Sequence, residues 1–361
     1  MNFDFKPQKM SAKAIVGAII VSFVLGSLIL AFSGHNPLDV YGTMIDGSLM
    51  SRFSLASTIR WTTPLLFTGL AAAVALRGGM FNIGTEGQMF MGAFFSAWAG
   101  FTFHGLPPVV HIGLCLIAGA FGGALWALFP AVVRAYFGAS EMVMTLMLNY
   151  VALYFLIFLG ETQAEWNFFL DTSSARPVFF NFGKEVAFPR IMIGKFGLNV
   201  CVLLTLLIGV LVYCYLKYSK HGYEIAVVGD SAGTAHYAGM KVNTIVLRTV
   251  FLSACLIGLA AAFKVGTVGI LSTSFTDDVG WTGVIVAWLA QLNTGIIFVV
   301  SALISMLQHG STVAAATFAQ VDSSFADMLQ GAILFLVLAA DFFIRFQVVR
   351  AQKGGSVNGN G

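Results

Sequence analysis

The sequence predicts an all-α integral membrane protein, because its composition and its apolar segments both suit a bilayer. Of 361 residues, 58% are hydrophobic and 10% are charged, against roughly 25% charged residues in a typical soluble domain. The apolar residues gather in about ten segments, most of them long enough to span a bilayer as helices. One glycine-rich polar stretch, at residues 79–88, interrupts this pattern and predicts a broken helix.

The predicted spans follow one another along residues 14–346. The first, 14–32, follows Lys6, Lys9 and Lys13, which favours a cytoplasmic start. A cleaved signal peptide is the alternative, but the apolar run is long for that purpose and no Ala-x-Ala-like site closes it. The remaining predicted spans are 61–76, 88–103, 109–133, 142–160, 198–216, 245–263, 280–292, 294–307 and 328–346.

Ten spans that begin inside place both termini in the cytoplasm. Most of the 19 Lys and Arg residues then fall on the cytoplasmic side, as the positive-inside rule requires. We therefore expect a cytoplasmic N-terminus (1–13), a polytopic membrane domain (14–346) and a flexible cytoplasmic tail (347–361). Within the membrane domain, an outer loop (161–195) and a cytoplasmic loop (217–243) are the two long connections.

The outer loop mixes prolines with aromatic residues such as Trp166, Phe168 and Phe169. A loop of this length without secondary structure is usually functional or disordered. Its aromatic residues predict either an amphipathic shelf, on the membrane or under a partner, or an interfacial aromatic belt.

The cytoplasmic loop predicts a short helix between two spans. Asp230 or Ser231 is placed to cap its start, and Gly239 is placed to end it. Small residues would give this helix a smooth face on which another protein could seat closely, although a simple connector is the alternative. The small residues are Ala232, Ala235 and Ala238.

Three polar residues of the broken-helix stretch are expected to face protein or a cavity. A carboxylate near the bilayer centre costs about 2.5–3.5 kcal/mol on insertion scales, so exposure to lipid is disfavoured. Asn82, Glu86 and Gln88 are therefore candidates for a solute pathway. For Glu86, capping or bracing a half-helix competes with direct contact to a solute.

Two further pairs of residues share helix faces, and we expect the face of Thr145 and Asn149 to turn inward. Asn149 lies one turn after Thr145, on a face more polar than its Met and Leu neighbours. Trp281 and Trp288 lie two turns apart and could stack on an aromatic solute, with simple packing as the alternative.

The sequence carries no catalytic machinery. It lacks a phosphate-binding Gly-x-x-x-x-Gly-Lys-[Ser/Thr] loop, a His-Glu-x-x-His motif and a Gly-x-Ser-x-Gly elbow. The 6 histidines are scattered, and the 4 cysteines lie in apolar runs without metal-like spacing. We expect no catalytic residues, no metal and no cofactor, with any ATP hydrolysis on another polypeptide.

Several motifs together resemble ABC importer permeases of the ribose and branched-chain amino-acid superfamily, in particular the nucleoside-uptake branch. Residues 81–88 are similar to that superfamily's Asn-Ile-Gly-aliphatic-Glu-Gly-Gln signature, and 140–150 to the branch's Glu-hydrophobic-x-x-Thr-Leu-Met-Leu-Asn-Tyr run. Residues 222–240 resemble its cytoplasmic coupling helix, and 281–289 its Phe-Thr-Gly-Ile-Ala-Val-Ala-Leu-Leu run. The resemblance covers approximately residues 60–345.

The resemblance implies the permease subunit of an ATP-driven importer in the bacterial cytoplasmic membrane, for nucleosides. Its expected partners are an ABC ATPase subunit, a second permease subunit (the same chain or a homologue), an extracytoplasmic substrate-binding protein and a small-molecule solute, with no nucleic acid. Residues expected to couple to the ATPase are Glu224, Gly229, Asp230, Ala235, Ala238 and Gly239. The alternatives are a permease for a simple sugar such as ribose, or an ion-coupled secondary transporter using Glu86, Asp277, Asp278 or Asp341.

The chain departs from the family pattern at four positions. Thr85 replaces an aliphatic residue, and Ile225 and His236 stand where Arg or Lys is more usual. Trp288 is bulkier than the usual leucine. These differences put the choice of partner and of substrate in doubt, but not the overall resemblance.

Overall fold

Helices dominate the structure, a computed structural model that describes residues 2–5, 12–103, 105–171, 178–179, 188–193, 196–272, 274–318 and 321–349. The helices are α1 (Ala12–Phe32), α2 (Pro37–Ile45), α3 (Arg52–Arg77), α4 (Thr85–Thr102), α5 (Pro108–Phe137), α6 (Glu141–Glu161), α7 (Val200–Tyr218), α8 (Lys220–Asp230), α9 (Ala232–Tyr237), α10 (Val242–Val268), α11 (Val279–Leu289), α12 (Thr294–Thr317) and α13 (Phe325–Arg345). A π-helical turn (Asp46–Met50) precedes α3. The short strands are β1 (Asn2–Phe5), β2 (Leu170–Asp171), β3 (Val178–Phe179), β4 (Arg190–Ile193), β5 (Phe196–Asn199) and β6 (Phe346–Val349).

The helices have the length and composition of membrane spans, which confirms the predicted fold class. Among the described residues, 7 helices are long and apolar enough to cross a bilayer. Each of the ten predicted segments overlaps one helix, but α11 and the apolar part of α13 are shorter than these. Helix α4 is also not among the seven, because glycines, Glu86 and Gln88 at its start lower its hydropathy. The number of spans remains a prediction.

The chain forms two compact units, and the first joins its two ends. This unit comprises Met1–Met44 and Gly310–Gly361. Strand β1 pairs antiparallel with β6, with Asn2 opposite Val349. Helix α1 packs against α13 where Gly26 leaves no room for a side chain, since a Cβ there would lie 2.6 Å from Leu329. The predicted flexible tail therefore starts with strand residues, and 350–361 lie outside the described residues.

The second unit, Ile45–His309, holds its core between α3, α4, α5 and α10. Helices α4, α5 and α10 cross at glycines. A Cβ on Gly92 of α4 would lie 2.8 Å from the Gly258 Cα of α10, and one on Gly123 of α5 would lie 2.8 Å from the Ala254 carbonyl oxygen. Small residues let helix backbones approach closely, which is how membrane helices gain packing contacts where lipid is as apolar as the side chains.

Helices α6 and α7 have apolar residues on their exposed sides as well as their buried ones. On α6, Ala152 and Leu156 are buried, while Val151, Tyr154 and Phe158 are exposed. A soluble protein would place polar residues on the exposed side of such helices. This pattern is typical of helices that face lipid.

Two short antiparallel strand pairs, β2–β3 and β4–β5, lie in and directly after the predicted outer loop. Phe169 is buried between Phe94 and Phe101, whereas Trp166 is exposed and stacks near Phe158. At least one aromatic residue of this loop therefore serves the protein core. Residues 172–177, 180–187 and 194–195 lie outside the described residues.

Candidate functional site: a polar cluster, a paired cytoplasmic helix and a cavity

Asn82 and Gln88 bind each other through both ends of their amide groups. The Asn82 amide donates to Gln88 Oε1 at 3.1 Å, and the Gln88 amide donates to Asn82 Oδ1 at 2.8 Å. Asn82 Oδ1 also accepts from the Gly84 N–H at 3.1 Å. Both side chains are buried. The pair thus closes the non-helical segment between α3 and α4 onto the first turn of α4.

Asn149 of α6 fixes the same segment from the other side. Its Oδ1 accepts from the Gly87 N–H at 2.8 Å, and its amide donates to the Ile83 carbonyl at 2.9 Å. The predicted inward direction of Asn149 agrees with this placement. Thr145, one turn earlier, is buried and donates to its own helix, at the Glu141 carbonyl 2.7 Å away. We call Asn82, Glu86, Gln88 and Asn149 the polar cluster.

Glu86 joins the starts of two helices. It lies in the first turn of α4, is 4% exposed, and accepts from the Trp281 N–H of α11 at 3.2 Å. Gly280 and Thr276 lie beside this carboxyl group. Asp278, the residue before α11, makes no side-chain cap. A carboxylate from another helix therefore satisfies the Trp281 N–H at the α11 N-terminus, where the helix dipole also favours negative charge.

Helix α11 packs against α3, and its two tryptophan side chains are at least partly exposed on the surface of the subunit. Gly69 of α3 faces Val286, with a Cβ there only 3.0 Å from that side chain. Trp288 is 39% exposed, and Trp281 is partly exposed on the same side. The two indoles share a helix face as predicted, but the structure does not join them to the polar cluster. With 11 residues, α11 is about 16 Å long and shorter than a bilayer core.

The segment before α4 also contacts the cytoplasmic loop. Gly79 has left-handed backbone geometry (φ +70°), and its carbonyl accepts from Arg134 of α5 at 2.9 Å. Gly229, near the end of α8, lies so close to the Arg77 carbonyl that no Cβ would fit between them. A chain of contacts thus runs from α8 through residues 77–79 to the polar cluster. Arg134 was not among the predicted site residues.

The predicted cytoplasmic loop contains two helices instead of one. Ser219 caps α8 by accepting from the Gly222 N–H at 3.0 Å, and Ser231 caps α9 by accepting from the Thr234 N–H at 3.2 Å. Gly239 takes the left-handed conformation that ends α9. The predicted caps of the short helix are therefore confirmed, while α8 was not expected.

The predicted smooth face of small residues does not form as expected. Ala235 is 0% exposed and packs into the subunit's own core, whereas Ala232 and Ala238 are exposed. Helix packing turns Ala235 inward because the two helices lie against α10, and the exposed side of α9 instead carries Tyr237, which is 95% exposed. Gly239 and Asp230 are exposed as well.

Glu224 holds α8 to the start of α10. Its Oε2 accepts from Arg248 at 2.7 Å, and Lys220 lies one turn earlier with its ammonium 4.0 Å from the carboxylate. The hydrogen bond from Arg248 lowers the pKa of Glu224 below its ordinary value. The Glu224–Arg248 pair therefore holds the cytoplasmic loop in place and is not part of the polar cluster.

At the other end of α10, a cavity of about 370 Å³ opens beside a buried lysine. The Lys264 ammonium donates to the Asp277 carboxylate at 2.8 Å and to the Thr276 carbonyl at 2.9 Å. Its side chain is 11% exposed. We call this space the Lys264 cavity; its polar and aromatic lining includes Arg60, Trp61, Asn199, Lys264, Thr267 and Asp277.

Lys264 was not among the predicted pathway residues. It falls one residue beyond the predicted span 245–263, which placed it among the cations on the outer side. In the structure it lies within α10. An ionisable residue inside an apolar helix is by default a functional-site candidate, so the sequence could have indicated Lys264.

These sites hold amide, carboxylate and ammonium groups that are mostly paired with one another. Within the described part of the chain, no group of three or more His, Cys, Asp or Glu side chains is arranged to hold a metal. The polar cluster binds backbone groups, α8 and α9 present an exposed surface, and the Lys264 cavity offers a partly open space. This arrangement suits conduction and coupling better than chemistry on a bound substrate.

The chain belongs to the family described as branched-chain amino acid transport system / permease component, which it matches over residues 54–338. It is therefore a multi-pass membrane permease subunit of an ABC importer, and the ATPase activity of such importers resides on separate subunits. Membership also implies ATPase and substrate-binding partners.

Its relatives include permeases named for nucleosides. The chain is 31% identical to the guanosine ABC transporter permease protein NupP of Bacillus subtilis, over 94% of this chain and 96% of the relative. It is 28% identical to the nucleoside ABC transporter permease protein NupB of Lactococcus lactis, over 93% and 92%. A glucose ABC transporter permease protein, TsgB13 of Haloferax volcanii, is 26% identical over 91% and 88%.

Proposed function

We propose that this protein forms the pathway of an ATP-driven nucleoside importer together with a second permease subunit, either a copy of itself or a homologue. The observation that carries the substrate class is similarity over more than nine-tenths of the chain to permeases named for guanosine and nucleosides. An extracytoplasmic binding protein delivers the nucleoside, and separate ATPases power the change between outward and inward states.

The broken segment and α11 support a pathway within ten spans. Helices α3 and α4 are separated by residues 78–84, and α11 is too short to span alone. Short or interrupted helices point to transport sites in membrane proteins, since irregular backbone is tolerated there only beside protein or a water-filled cavity. The exposed face of α11, with Trp281 and Trp288, is the surface on which the pathway and the second subunit would meet. The polar cluster braces this region.

Helices α8 and α9 form the proposed seat for the ATPase. Gly229 contacts the Arg77 carbonyl, and residues 77–79 lead to the polar cluster. A movement imposed on α8 would therefore reach α4 and α11 directly. Because Ala235 is buried, the contact with the ATPase falls to the exposed side of α9 around Tyr237, with Ala238 and Gly239 at its end.

The proposed orientation places both termini in the cytoplasm of a bacterial cell, with residues 161–195 outside. The pairing of β1 with β6 supports termini on one side. Cysteines introduced at Ser173 and Ser356, in a background without the native cysteines, test it. An impermeant thiol reagent applied to intact cells should label the first and spare the second; the reverse pattern contradicts the orientation.

Two alternatives remain distinguishable. The similarity to a glucose permease makes a sugar the alternative substrate. An ion-coupled transporter would need carboxylates available to bind ions, but Glu86 accepts the Trp281 N–H and Asp277 pairs with Lys264. The family assignment also favours the ATP-driven importer.

Uptake by cells that contain the complete transporter tests the proposal. Labelled guanosine should enter in an ATP-dependent manner, and unlabelled nucleosides should compete, while ribose and glucose should not. Uptake of a sugar without uptake of any nucleoside would contradict the substrate class. Uptake driven by an ion gradient in the absence of the ATPase would contradict the transporter class.

The docking surface has its own test. Tyr237→Ala should lower uptake and the amount of ATPase that co-purifies, because it removes the most exposed aromatic side chain of α9. Tyr154→Ala on α6, which removes an exposed tyrosine from a lipid-facing helix, is the matched control and should change neither. Equal behaviour of the two variants would place the docking surface elsewhere.

A further inference from the structure

The Lys264 cavity lies at the end of the second unit opposite to α8 and α9. Helix α10 begins beside α8, where Arg248 binds Glu224, and it ends at Val268. At 1.5 Å per residue, Lys264 lies about 33 Å along α10 from Val242. In the proposed orientation, this end faces the side from which a binding protein delivers its solute.

The cavity has the size of a small-molecule site. Its volume of about 370 Å³ falls in the range of about 300–1,000 Å³ that is typical of ligand pockets. Three parts of the fold enclose it: the first half of α3, the start of α7, and the end of α10 with the segment before α11. The cavity therefore belongs to a single chain and does not need a second copy to exist.

Its charges are largely balanced. Lys264 and Asp277 neutralise each other at 2.8 Å, and Arg60 adds one exposed cation beside them. A cationic solute would have to break this ion pair or leave its charge unpaired beside Arg60, and both are costly in a partly buried site. The lining thus disfavours a cationic solute and offers hydrogen-bonding groups to a neutral one.

The remaining lining supplies an aromatic ring and further polar groups. Trp61 is partly exposed, with its ring centroid 6.0 Å from the Lys264 ammonium. Bases stack on such rings, and Arg donors and Asp acceptors match the edges of a purine. Asn199 and Thr267 add an amide and a hydroxyl group for sugar hydroxyls.

We propose that the Lys264 cavity is a binding site for nucleosides in each permease subunit, with the base against Trp61 and its polar edge toward Arg60 and Asp277. The inference rests on the proposed nucleoside specificity and deepens it by naming the residues. The cavity wall includes Val279, the first residue of α11, whose neighbour Gly280 contacts Glu86. A solute in the cavity therefore touches α11, the short helix that Glu86 of the polar cluster holds in place.

Two measurements on the same variants test the site: binding of labelled guanosine to the purified chain in nanodiscs, and guanosine uptake by the complete transporter. Trp61→Leu should weaken binding and raise the KM for uptake by at least about fivefold, the smallest effect expected for loss of a stacked base. Arg60→Gln, at an exposed position where folding is not at stake, should weaken binding as well. Trp98→Leu on α4, a half-exposed tryptophan away from the cavity, is the matched control and should leave both unchanged.

The outcomes separate this site from the proposed function. Weaker guanosine binding in Trp61→Leu and Arg60→Gln, with free guanine competing and ribose failing to compete, supports the site. If the wild type takes up and binds guanosine but neither variant differs from it, the site is wrong while the importer proposal stands. If the wild type neither takes up nor binds any nucleoside, the proposed function fails and the site with it. Unchanged melting temperatures of the variants show that an effect on binding is not a folding defect.

Discussion

The polar cluster and the Lys264 cavity are both polar regions inside an apolar protein, yet they use their polar groups differently. In the cluster, the amides of Asn82 and Gln88 bind each other, and Asn149 and Glu86 bind backbone groups. In the cavity, an ion pair, an indole and a guanidinium border open space. The polar groups of the cluster are engaged within the protein, whereas Arg60 and Trp61 border the cavity and are available to a solute.

A substitution at Glu86 tests most directly whether the polar cluster holds the helices together. Glu86→Ala removes the acceptor of the Trp281 N–H at the start of α11, and a buried unsatisfied group costs about 1–3 kcal/mol. We expect the free energy of unfolding to fall by about 1–3 kcal/mol. Glu86→Gln, which keeps one oxygen acceptor, should lose less. Thermal unfolding of the detergent-solubilised protein measures both; equal stability of Glu86→Ala and wild type would mean that the cluster is not a brace.

A second prediction concerns the contact that links α8 to the cluster. Gly229→Ala places a Cβ against the Arg77 carbonyl, so α8 must shift, at a cost of about 1–3 kcal/mol. Uptake should fall more than guanosine binding, since the cavity lies at the far end of α10. Gly233→Ala on α9, where the nearest atom to the new Cβ is 3.8 Å away, is the control and should transport normally. Parallel loss of binding and uptake in Gly229→Ala would argue against separate roles for the two regions.

A double-mutant cycle sharpens the description of the cluster. Because Asn82 and Gln88 donate to and accept from each other, truncating either to Ala should already remove most of what the pair contributes. Contacting residues typically show coupling energies of about 0.5–3 kcal/mol, and we expect a value near 1 kcal/mol. The measurement is unfolding of both single variants and the double variant. Additive effects would show that the pair does not act as a unit.

The smallest expected effect is pH-dependent and lies outside both regions. Arg248 depresses the pKa of Glu224, so the carboxylate stabilises the folded protein above its unfolded pKa of about 4.3. This contribution is lost as the pH falls through the lower folded pKa. Glu224→Gln should therefore cost about 1 kcal/mol or less at pH 7 and nothing in strong acid. Glu165→Gln, at an exposed glutamate that forms no ion pair among the described residues, is the control and should show no such difference. A pH-independent cost would assign the effect to packing.

The sequence predicted the apolar helices well because span length and hydropathy are local properties. It missed α2, Pro37–Ile45, because nine residues with mixed exposure give no span-length signal. It predicted the caps of α9 at Ser231 and Gly239, again from local chemistry. It did not predict that Ala235 faces inward, since the direction of a short helix depends on what it packs against.

The sequence singled out polar residues of the candidate site but not their arrangement. Asn82, Gln88 and Asn149 hold the segment before α4, and Glu86 binds the start of α11; their role in a solute pathway stays a prediction. The bond between Gly87 and Asn149 joins positions 62 residues apart, and that between Glu86 and Trp281 joins positions 195 apart. Contacts between positions so far apart cannot be inferred from a single sequence. Whether Glu86 braces or binds could be decided only from the backbone groups it meets.

The glycine crossing of α4, α5 and α10 limits how this permease can move. With backbones this close at Gly92, Gly123 and Gly258, the three helices cannot slide past one another without a collision of main chains. They have few independent degrees of freedom and travel as one body. The flexing required for alternating access must then occur elsewhere, for example at the turn after α11, where Gln291 and Leu292 hold left-handed backbone angles. Substitutions at that turn should change the rate of the transport cycle without touching the solute.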